Sequence, residues 1–278
     1  MSASRVSAFY RTAFVTGAST GLGRAFAEML VADGVKVWGT SRDANRLADL
    51  TASAQGAFMP VALELRDGAR TEATFLAADA VAGGFDLVIN NAGYGVFADF
   101  AATDFAVWQE QIEVMLLRPA QLSHLALRGM KARGRGALVN ISSLAAEFPL
   151  PFQAAYNIAK SGLSALNESL MVETAGTEIV VLDFRPGDYR TDFDRSVSRP
   201  AGASSLAMSR AWEAFMAMMR SGPAPEHAAT ALRRALLRRR SGTVRTGRFF
   251  QAVLAPFLAR FGSLPLKRRI QARYFNLP

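Results

Sequence analysis

Short apolar runs alternate with longer helical segments along most of the chain, and this alternation restricts the fold more than any other feature. Strands are predicted at 12–16, 35–40, 58–63, 85–90, 136–142 and 178–184, with a short seventh strand near residues 243–245. Helices are predicted at 21–33, 44–53, 68–80, 104–132, 153–174, 204–220 and 225–240. Uninterrupted apolar runs suit strands buried on both faces, and helical crossovers join parallel strands. The sequence therefore predicts an α/β fold: a doubly wound parallel sheet with helices on both faces, followed by a C-terminal helical extension.

A glycine-rich turn follows the first predicted strand. Its sequence is Thr16-Gly17-Ala18-Ser19-Thr20-Gly21-Leu22-Gly23, and a predicted helix begins within it. Glycines let a backbone approach a diphosphate closely, and a helix N-terminus supplies free N–H groups and the positive end of the helix dipole. A turn without a ligand is the alternative, but the position at the first strand–helix junction favours a dinucleotide site.

Two further turns follow predicted strands. Asn90-Asn91-Ala92-Gly93 comes after the fourth strand, and Arg185-Pro186-Gly187-Asp188-Tyr189-Arg190-Thr191 comes after the sixth. Taken singly, each is compatible with an ordinary turn. Because parallel sheets bind ligands at the carboxyl ends of their strands, we expect all three turns to border one site.

Tyr156 and Lys160 lie four residues apart at the start of a predicted helix, and Ser143 ends the strand before it. Residues four apart share a helix face, so the sequence places an ammonium beside a phenol. That neighbour predicts a lowered pKa for Tyr156 and a role as acid or base near neutral pH. The hydroxyl of Ser143 is suited to polarise a carbonyl oxygen. A lone Tyr-x-x-x-Lys pattern is common on helix surfaces, but the three turns favour a site.

In this order the motifs resemble the classical short-chain dehydrogenase/reductase family over roughly residues 12–191. The resemblance implies a Rossmann-like sheet and an oxidoreductase acting on CH–OH or C=O. It also implies a catalytic triad in which Ser143 holds the carbonyl, Tyr156 is the proton donor in reduction or the base in oxidation, and Lys160 binds the nicotinamide ribose and lowers the pKa of the tyrosine. Ser142 competes with Ser143, and the family's usual thirteen-residue gap to the tyrosine selects Ser143.

One segment departs from the family pattern. Met115 stands where the family has an asparagine that helps to hold a relay water, and Arg118 stands where it has glycine. Pro119 has no N–H, so in a helix the carbonyl of Met115 loses its partner and remains available to a water. Met115 as a simple apolar filler is the alternative. This departure supports a second interpretation, a catalytically weak or silent nucleotide-binding sensor or interaction protein.

The loop after the second strand indicates the cofactor. It begins Ser41-Arg42-Asp43, whereas sites for NAD place an acid there to bind the ribose 2′-hydroxyl. A guanidinium suits a 2′-phosphate, so we expect NADP(H) to be preferred over NAD(H). Arg42 as a solvated loop charge, with Asp43 on the ribose, remains the alternative. The expected cofactor contacts are Gly17, Ser19, Thr20, Gly21, Leu22, Gly23, Ser41, Arg42, Glu64, Leu65, Asn91, Ala92, Gly93, Tyr156, Lys160, Pro186, Gly187, Tyr189 and Thr191.

The substrate pocket is expected to be apolar. The residues expected around it are Ser143, Ala145, Phe148, Leu150, Phe152, Tyr189 and Phe193. A cleft with few polar groups suits a lipophilic ketone or secondary alcohol.

Length and composition bound the organisation of the chain. We expect one domain over residues 1–278, with a cofactor and catalytic core at 12–191 and substrate-side helices with a basic tail at 192–278. The chain has no cysteine and only two histidines, far apart, so no metal site is expected. Met1 to Arg11 lacks the apolar core of a secretory signal, and no apolar run is long enough to span a membrane. We therefore expect a cytoplasmic homo-oligomer that binds a small-molecule carbonyl or alcohol substrate.

The positive charge is concentrated at the C-terminal end. Residues 224–278 contain twelve basic side chains and one acidic one, a net +11, while the whole chain carries +9 and residues 1–223 therefore carry −2. Phenylalanines and leucines accompany these bases, a combination that fits an anionic membrane surface. We expect instead an amphipathic helix packed on its own subunit or on a dimer partner, with solvated arginines. Peripheral membrane contact is the alternative, and nucleic-acid binding is not expected because no nucleic-acid-binding motif accompanies the charge.

Overall fold

A parallel seven-stranded sheet forms the centre of the computed structural model, which describes residues 5–200, 205–259 and 261–277. The strands are β1 Thr12–Val15, β2 Lys36–Ser41, β3 Phe58–Ala62, β4 Leu87–Asn90, β5 Gly95–Val96, β6 Arg135–Ile141, β7 Glu178–Pro186, β8 Val197–Ser198 and β9 Gly242–Thr246. The sheet order is β3-β2-β1-β4-β6-β7-β9, and the short strands β5 and β8 pair separately. All neighbouring strands are parallel, which confirms the predicted doubly wound sheet and its seventh strand.

The direction of winding reverses between β1 and β4. From β1 the chain proceeds to β2 and β3 on one side, and then returns to place β4 on the other side of β1. The connections that leave the carboxyl ends of β1 and β4 therefore diverge and open a crevice between them. This crevice lies where the glycine-rich turn and the Asn90–Gly93 turn begin.

Helices cover both faces of the sheet. They are α1 Gly21–Ala32, α2 Ala48–Ser53, α3 Gly68–Ala82, α4 Phe105–Ile112, α5 Arg118–Arg133, α6 Ala154–Glu173, α7 Phe193–Ser196, α8 Leu206–Arg220, α9 Pro225–Arg238, α10 Ala255–Ala259 and α11 Leu264–Tyr274. The helix predicted at 44–53 begins as a 3₁₀ turn over Ala44–Leu47. Residues 201–204, which include the first residue of the helix predicted at 204–220, lie outside the described residues.

The long helix predicted at 104–132 is divided. A π-helical turn over Glu113–Leu117 separates α4 from α5, and the N–H of Arg118 donates to the carbonyl of Glu113 across it. The wide turn ends immediately before Pro119, which has no N–H to donate. The sequence marked this proline but did not predict the wide turn.

The central strand β1 is apolar on both faces because its alternate residues face two different helical layers. On β1, Val15 packs in the cluster that contains Phe26 and Leu30 of α1. Its neighbour Phe14 points the other way, into the cluster that contains Phe75 of α3 and Leu122 of α5. All five side chains are almost completely removed from solvent. This burial on both faces supplies the main hydrophobic stabilisation of the sheet.

The C-terminal segments pack less closely on the subunit than the sequence predicts. Phe275 is buried and shares a cluster with Phe97, Met208 and Ala211. The large apolar side chains between residues 249 and 274, in contrast, are exposed. Most of these apolar side chains therefore do not pack on their own subunit, and the expected alternative, packing on a dimer partner, stays a prediction.

The turn between β1 and α1 depends on close backbone approaches. Gly17 and Gly21 have φ values of +69° and +57°, in the region that favours glycine. A Cβ placed on Gly23 would lie 2.1 Å from the carbonyl oxygen of Gly17. The turn is joined to the neighbouring strand end by Thr16, whose Oγ1 accepts the N–H of Asn91 at 2.9 Å.

Substitution of Gly23 should therefore disrupt this turn. Gly23→Ala is expected to lower the free energy of unfolding by about 2 kcal/mol or more, because the methyl group collides with backbone. The matched control is Gly129→Ala in α5, where the added carbon meets the guanidinium of Arg133 at 3.0 Å and no backbone. That change should stabilise the helix by up to about 1 kcal/mol. Urea unfolding measures both variants, and equal stabilities would contradict this description of the turn.

Candidate functional site

A cavity of about 1740 Å³ extends along the carboxyl ends of the central strands. It is bordered by the ends of β1, β4, β6 and β7. The glycine-rich turn, the two later turns and the strand end at Ser143, all marked in the sequence, therefore meet there. All residues predicted to contact the cofactor line this cavity with the exception of Gly23. Gly23 instead lies against the Gly17 carbonyl, where its lack of a side chain shapes the turn, and its contact with the cofactor stays a prediction.

One end of the cavity fits the diphosphate of a dinucleotide. Ser19, Thr20, Gly21 and Leu22 line it at the start of α1, and the Thr20 side chain forms no capping hydrogen bond. The first N–H groups of α1 are consequently left to an anionic ligand, and the helix dipole favours negative charge at this end. The backbone of Gly17 also lines the cavity. A side chain at this position would not fit, because its Cβ would lie only 3.0 Å from the Cα of Ala92.

Arginines border the part of the cavity beyond β2. Arg42 and Arg46 both line it, and Ser41 lies beside them. Asp43 does not line the cavity, because its carboxylate accepts the N–H of Asn45 at 2.9 Å and caps the following 3₁₀ turn. The carboxylate of Asp43, which was the argument for NAD(H), therefore forms its hydrogen bond within its own loop. Sequence reasoning missed Arg46, although its position four residues after Arg42 was a usable signal.

Ser143, Tyr156 and Lys160 come together on one wall of the cavity. Lys160 Nζ donates to the carbonyl oxygen of Ile141 at 2.7 Å and lies 5.7 Å from the centroid of the Tyr156 ring. Ser143 Oγ accepts the N–H of Ala145 at 3.0 Å and donates to the carbonyl oxygen of Pro186 at 3.5 Å, and its hydroxyl lies beside the Tyr156 phenol. The first two turns of α6 and the end of β6 thus position three polar side chains toward one space.

The pKa of Tyr156 differs from the sequence prediction. Burial raises it to about 12, the hydrogen bond with Ser143 opposes this, and the negative charge of Asp188 raises it further. The predicted lowering by Lys160 is wrong for this structure, since the ammonium is bonded to the Ile141 carbonyl and burial dominates. The phenol is therefore protonated at neutral pH.

Lys160 is shifted in the other direction. Burial lowers the pKa of Lys160 to about 8, and the negative charge of Asp183 raises it in part. Asp183 is itself completely buried, on β7. An ammonium and a carboxylate thus share the interior below the cavity, and each reduces the cost of burying the other.

The surroundings of Asp183 separate the two candidate serines. Ser142 Oγ donates to Asp183, so its hydroxyl is directed into the protein. Ser164 Oγ donates to the other carboxylate oxygen at 2.9 Å, and Arg185 Nε donates to it at 2.7 Å. Ser143 is consequently the serine with its hydroxyl beside Tyr156, in agreement with the spacing argument.

A buried ion-pair network continues from Asp183 toward the surface. Arg185 pairs with Asp183 and, at 2.6 Å, with Glu147. Arg245 of β9 also contacts Glu147, at 2.7 Å. These bonds tie the ends of β7 and β9 to the segment that follows Ser143. The sequence placed Arg185 in a turn motif but gave no indication of its partners.

Met115 is a packing residue in this structure. Its side chain is buried beside Gly93, and its sulfur lies 3.7 Å from Gln111 Nε2. Arg118 donates to Gln121 at 3.0 Å and lies against Gly68 of α3, so it fills the space above that glycine. The apolar interpretation of the Met115 side chain fits these contacts, while the role of its carbonyl stays a prediction.

The substrate end of the cavity is mostly apolar. Ala145, Phe148, Leu150 and Phe193 line it as predicted, and the Phe193 ring lies 6.1 Å from that of Tyr156. Phe152 does not line the cavity, because its ring packs at 5.6 Å against Phe97, and its prediction as a substrate residue is wrong.

Tyr189 is a lining residue with no free hydroxyl. Its oxygen forms hydrogen bonds with His227 Nδ1 at 2.8 Å and with Thr246 Oγ1 at 2.7 Å. These contacts join β7 to α9 and β9. Tyr189 therefore lines the cavity as predicted while its hydroxyl is bonded within the protein, and its contact with substrate or cofactor stays a prediction.

Sequence reasoning missed several residues of this end. Phe215, Met218 and Met219 of α8 line the cavity, and a general excess of Met and Phe in the last third was their only signal. Asp188 also lines it, and burial raises the pKa of Asp188. Gln251 donates to Asp188 and, at 2.9 Å, to the Tyr274 hydroxyl, so it joins the C-terminal segment to the cavity.

The described residues contain neither a membrane-spanning helix nor a cluster of metal-ligating side chains. No helix among them combines the length and apolar character needed to cross a bilayer. No group of three or more His, Cys, Asp or Glu side chains among them is placed to hold a metal ion.

Comparisons with known proteins agree with the geometry. A family model described as short chain dehydrogenase matches residues 11–202. A probable NADP-dependent dehydrogenase of Haemophilus influenzae is 33% identical over 180 residues, which cover 63% of this chain and 70% of the relative. The 3-oxoacyl-acyl-carrier-protein reductase of Escherichia coli is 34% identical over 201 residues, which cover 71% of this chain and 81% of the relative. A short-chain dehydrogenase structure from Streptomyces avermitilis superposes with a TM-score of 0.82 at 28% identity and covers 97% of this chain and 98% of its own.

The buried ammonium predicts a specific dependence of stability on pH. The ordinary pKa of a lysine is 10.5, and in the folded protein that of Lys160 is about 8. Between these values the unfolded chain binds the proton more tightly, so the free energy of unfolding rises with pH. Relative to Lys160→Met, the parent protein should gain roughly 3 kcal/mol across this window.

Chemical unfolding at a series of pH values measures this difference. Lys36→Met is the matched control, because Lys36 is exposed at the start of β2 and should show almost no such difference. Parallel stability curves for the parent and Lys160→Met would contradict the lowered pKa of Lys160.

Proposed function

Because the chain belongs to the short-chain dehydrogenase/reductase family, we propose that it is an NADP(H)-dependent oxidoreductase that interconverts a lipophilic ketone and its secondary alcohol. The observation that carries this proposal is the meeting of Ser143, Tyr156 and Lys160 on the wall of a cavity whose other end is the glycine-rich turn. A proton donor, a carbonyl-binding hydroxyl and a nucleotide-binding backbone are thereby brought to one space.

The proposed mechanism assigns one task to each side chain. Ser143 donates a hydrogen bond to the substrate carbonyl oxygen, and Tyr156 donates its proton to the same oxygen as negative charge develops there. Lys160 holds the ribose and stabilises the phenolate that results. When bound, the nicotinamide supplies or accepts the hydride. The glycine-rich turn and the strand-end turns orient it toward the substrate end of the cavity.

The protonation state of Tyr156 favours the reductive direction. With its pKa raised to about 12, the phenol carries the proton that carbonyl reduction needs at neutral pH. Oxidation of an alcohol requires the phenolate, which burial disfavours. We therefore propose that the enzyme acts as a ketone reductase, with Lys160 as the group whose positive charge offsets the phenolate during the reaction.

The arginines beyond β2 support NADP(H) over NAD(H). Arg42 and Arg46 line the cavity, and no acid at position 41 or 42 opposes a phosphate. Asp43 is held by the Asn45 N–H. Two guanidinium groups suit the charge and geometry of a 2′-phosphate. The relative from Haemophilus influenzae carries an NADP-dependent name, which agrees with this choice.

An apolar lining supports a lipophilic substrate. Phe148, Phe193 and Phe215 border the space in front of Tyr156, with Met218 and Met219 beside them. Gln153 and Asp188, which also line the cavity, are polar groups that can orient such a substrate. The relative from Escherichia coli reduces 3-oxoacyl chains by name, and such chains are ketones with apolar tails.

The proposal extends to the organisation of the chain. Residues 12–191 provide the cofactor and catalytic core of a single domain, and residues 192–278 provide the substrate-side helices and the basic tail. We place this enzyme in the cytoplasm as a homo-oligomer, as expected from the sequence. The direct test is a screen of NADPH oxidation against ketones of increasing chain length, in which turnover with long apolar ketones is expected and none with any ketone would refute the function.

Removal of the phenol should abolish turnover without loss of cofactor. Tyr156→Phe retains the ring but has no proton to donate, so kcat should fall by about 10²–10⁴-fold or more. Binding of NADPH, measured by titration calorimetry, should remain within a few-fold of the parent. Tyr10→Phe, which lies outside the cavity, is the control and should retain full turnover. A Tyr156→Phe enzyme as fast as the parent would remove Tyr156 from the mechanism.

NADPH should bind at least tenfold more tightly than NADH, a difference of about 1.4 kcal/mol. Arg42→Ala and Arg46→Ala should each weaken NADPH binding and leave NADH almost unchanged, because NADH has no phosphate for these side chains to hold. Arg70→Ala, at an exposed position outside the cavity, is the matched control. Titration with both nucleotides decides the matter, and equal affinities in the parent would refute the preference.

A further inference from the structure

The C-terminal segments expose an unusual amount of apolar surface. Of the twenty large apolar side chains that are exposed in the described part of the chain, eleven lie between residues 249 and 274. Phe249 and Phe261 are 73% and 77% exposed. Phe249, Val253 and Phe257 recur at intervals of four residues, which places them along one side of a helical segment. A concentration of this kind marks an interaction site rather than ordinary surface.

The two C-terminal segments form one continuous surface. Gln251 of the first segment donates to the Tyr274 hydroxyl of α11 at 2.9 Å. The Phe257 and Phe261 rings lie 5.5 Å apart where the first segment ends. Leu258 and Ile270, one from each segment, line the same cavity. We call the exposed side chains of residues 249–259 and 261–274 the C-terminal face.

The charge of this face has one sign. Lys267, Arg268, Arg269 and Arg273 lie on α11, and no Asp or Glu occurs anywhere after Glu226. Within the described ranges, no carboxylate pairs with any of these four bases. The occupant of this face must therefore supply both apolar contact and negative charge.

A second copy of the chain does not meet this requirement. A two-fold interface brings the same patch of both subunits together, so four bases would face four bases with no acid between them. Like charges at close range oppose association, most strongly where apolar contact excludes water. An anionic lipid bilayer supplies acyl chains for the phenylalanines and phosphate groups for the arginines and the lysine.

The face also borders the opening of the cavity. Phe261, Leu264 and Leu266 line the cavity while they are exposed at the surface, and the half-buried Lys267 lines it beside them. A bilayer in contact with the face would thus meet the substrate end of the cavity directly. A lipophilic molecule dissolved in the bilayer would reach the cavity without crossing water.

We propose that the C-terminal face docks the protein on an anionic lipid bilayer, and that the substrate enters the cavity from that bilayer. The docking is independent of catalysis. The entry route rests on the proposed function, because it needs turnover to be observed.

Vesicle flotation with the full chain tests the docking. The probes are phosphatidylcholine vesicles with and without phosphatidylglycerol. The parent protein should bind the anionic vesicles at least tenfold more tightly than the neutral ones, and added salt should weaken the binding. Failure of the parent to bind anionic vesicles would overturn the proposal.

Two pairs of substitutions locate the binding surface. Val253→Asp combined with Phe257→Asp should reduce vesicle binding at least tenfold, since both side chains are exposed on the face and neither lines the cavity. Leu76→Asp combined with Val81→Asp on α3 is the matched control, because these side chains are equally apolar and exposed but lie outside the face. Equal binding by the face variant and the parent would overturn the proposal. So would a parent dimer that the face variant converts to monomers while neither binds vesicles, because the face would then be a subunit interface.

Replacement of the bases separates charge from apolar contact. Arg269→Ser combined with Arg273→Ser should weaken binding to anionic vesicles roughly tenfold. Arg70→Ser combined with Arg128→Ser removes the same charge elsewhere and should have less than a twofold effect. Equal losses in both pairs would show that net charge, and not this face, determines binding.

Kinetics with two ketones test the entry route. For a long-chain ketone supplied in vesicles, Val253→Asp combined with Phe257→Asp should raise KM at least fivefold. For a short water-soluble ketone, kcat and KM should match the parent. An unchanged KM for the vesicle-borne ketone would overturn the route. Vesicle binding without turnover of any ketone would refute the proposed function while the docking stands.

Discussion

The hydrogen bond from Lys160 to the carbonyl of Ile141 is the interaction on which the rest of the site depends. It joins α6 to the end of β6 at 2.7 Å, at the wall of the cavity. Because Tyr156 lies one helical turn before Lys160, this bond also fixes where the phenol projects. Because Ser143 follows Ile141 by two residues, the same bond sets the distance between the serine and the tyrosine. Burial of the Lys160 ammonium costs desolvation free energy, and the negative charge of Asp183 offsets part of that cost.

Asp183 has a second consequence for the site. Its carboxylate accepts hydrogen bonds from the hydroxyl of Ser142 and the guanidinium of Arg185, so both groups are directed away from the cavity. Of the two adjacent serines, Ser143 is the one placed beside the phenol. Arg185 then joins Glu147, and Glu147 joins Arg245, so the strand ends around the site are held together by ion pairs. Ion pairs thus fix the strand ends around the site, whereas adaptable methionine and phenylalanine side chains line the substrate end.

The features that the sequence predicts well are local. The ends of β1, β4 and β7 were marked by Gly, Asn or Pro turns, and the periodicity of the flanking segments distinguishes strands from helices. The wide turn before Pro119 and the packed position of Phe152 were missed, because both depend on contacts with other parts of the chain. The raised pKa of Tyr156 was missed for the same reason. A neighbouring lysine is visible in the sequence, but the burial that outweighs it is a property of the assembled fold. Arg46 and Asp188 lie in or beside turns that the sequence marked, but a sequence motif does not show which of its side chains face the cavity.

The two halves of the chain carry different charges and different surfaces. The first 223 residues hold the nucleotide-binding turn and the catalytic residues with a net charge close to neutral. The remainder completes the sheet with β9, buries Phe275, and then exposes a basic apolar face beside the cavity. The buried side chains of this part serve the fold, whereas its exposed side chains have no packing role in the monomer. This separation suggests that the extension serves access to the site rather than the chemistry within it.

The central claim is that this cavity transfers a hydride to a ketone with Tyr156 as the proton donor. Deuterium transfer tests it most directly: the protein is incubated with NADPH deuterated at the transferable position of the nicotinamide and with a long-chain ketone, and the product is analysed by mass spectrometry. We expect one deuterium on the carbinol carbon of the alcohol in the parent protein and none in Tyr156→Phe. Tight binding of the deuterated cofactor to the parent without labelled alcohol from any ketone would contradict the claim.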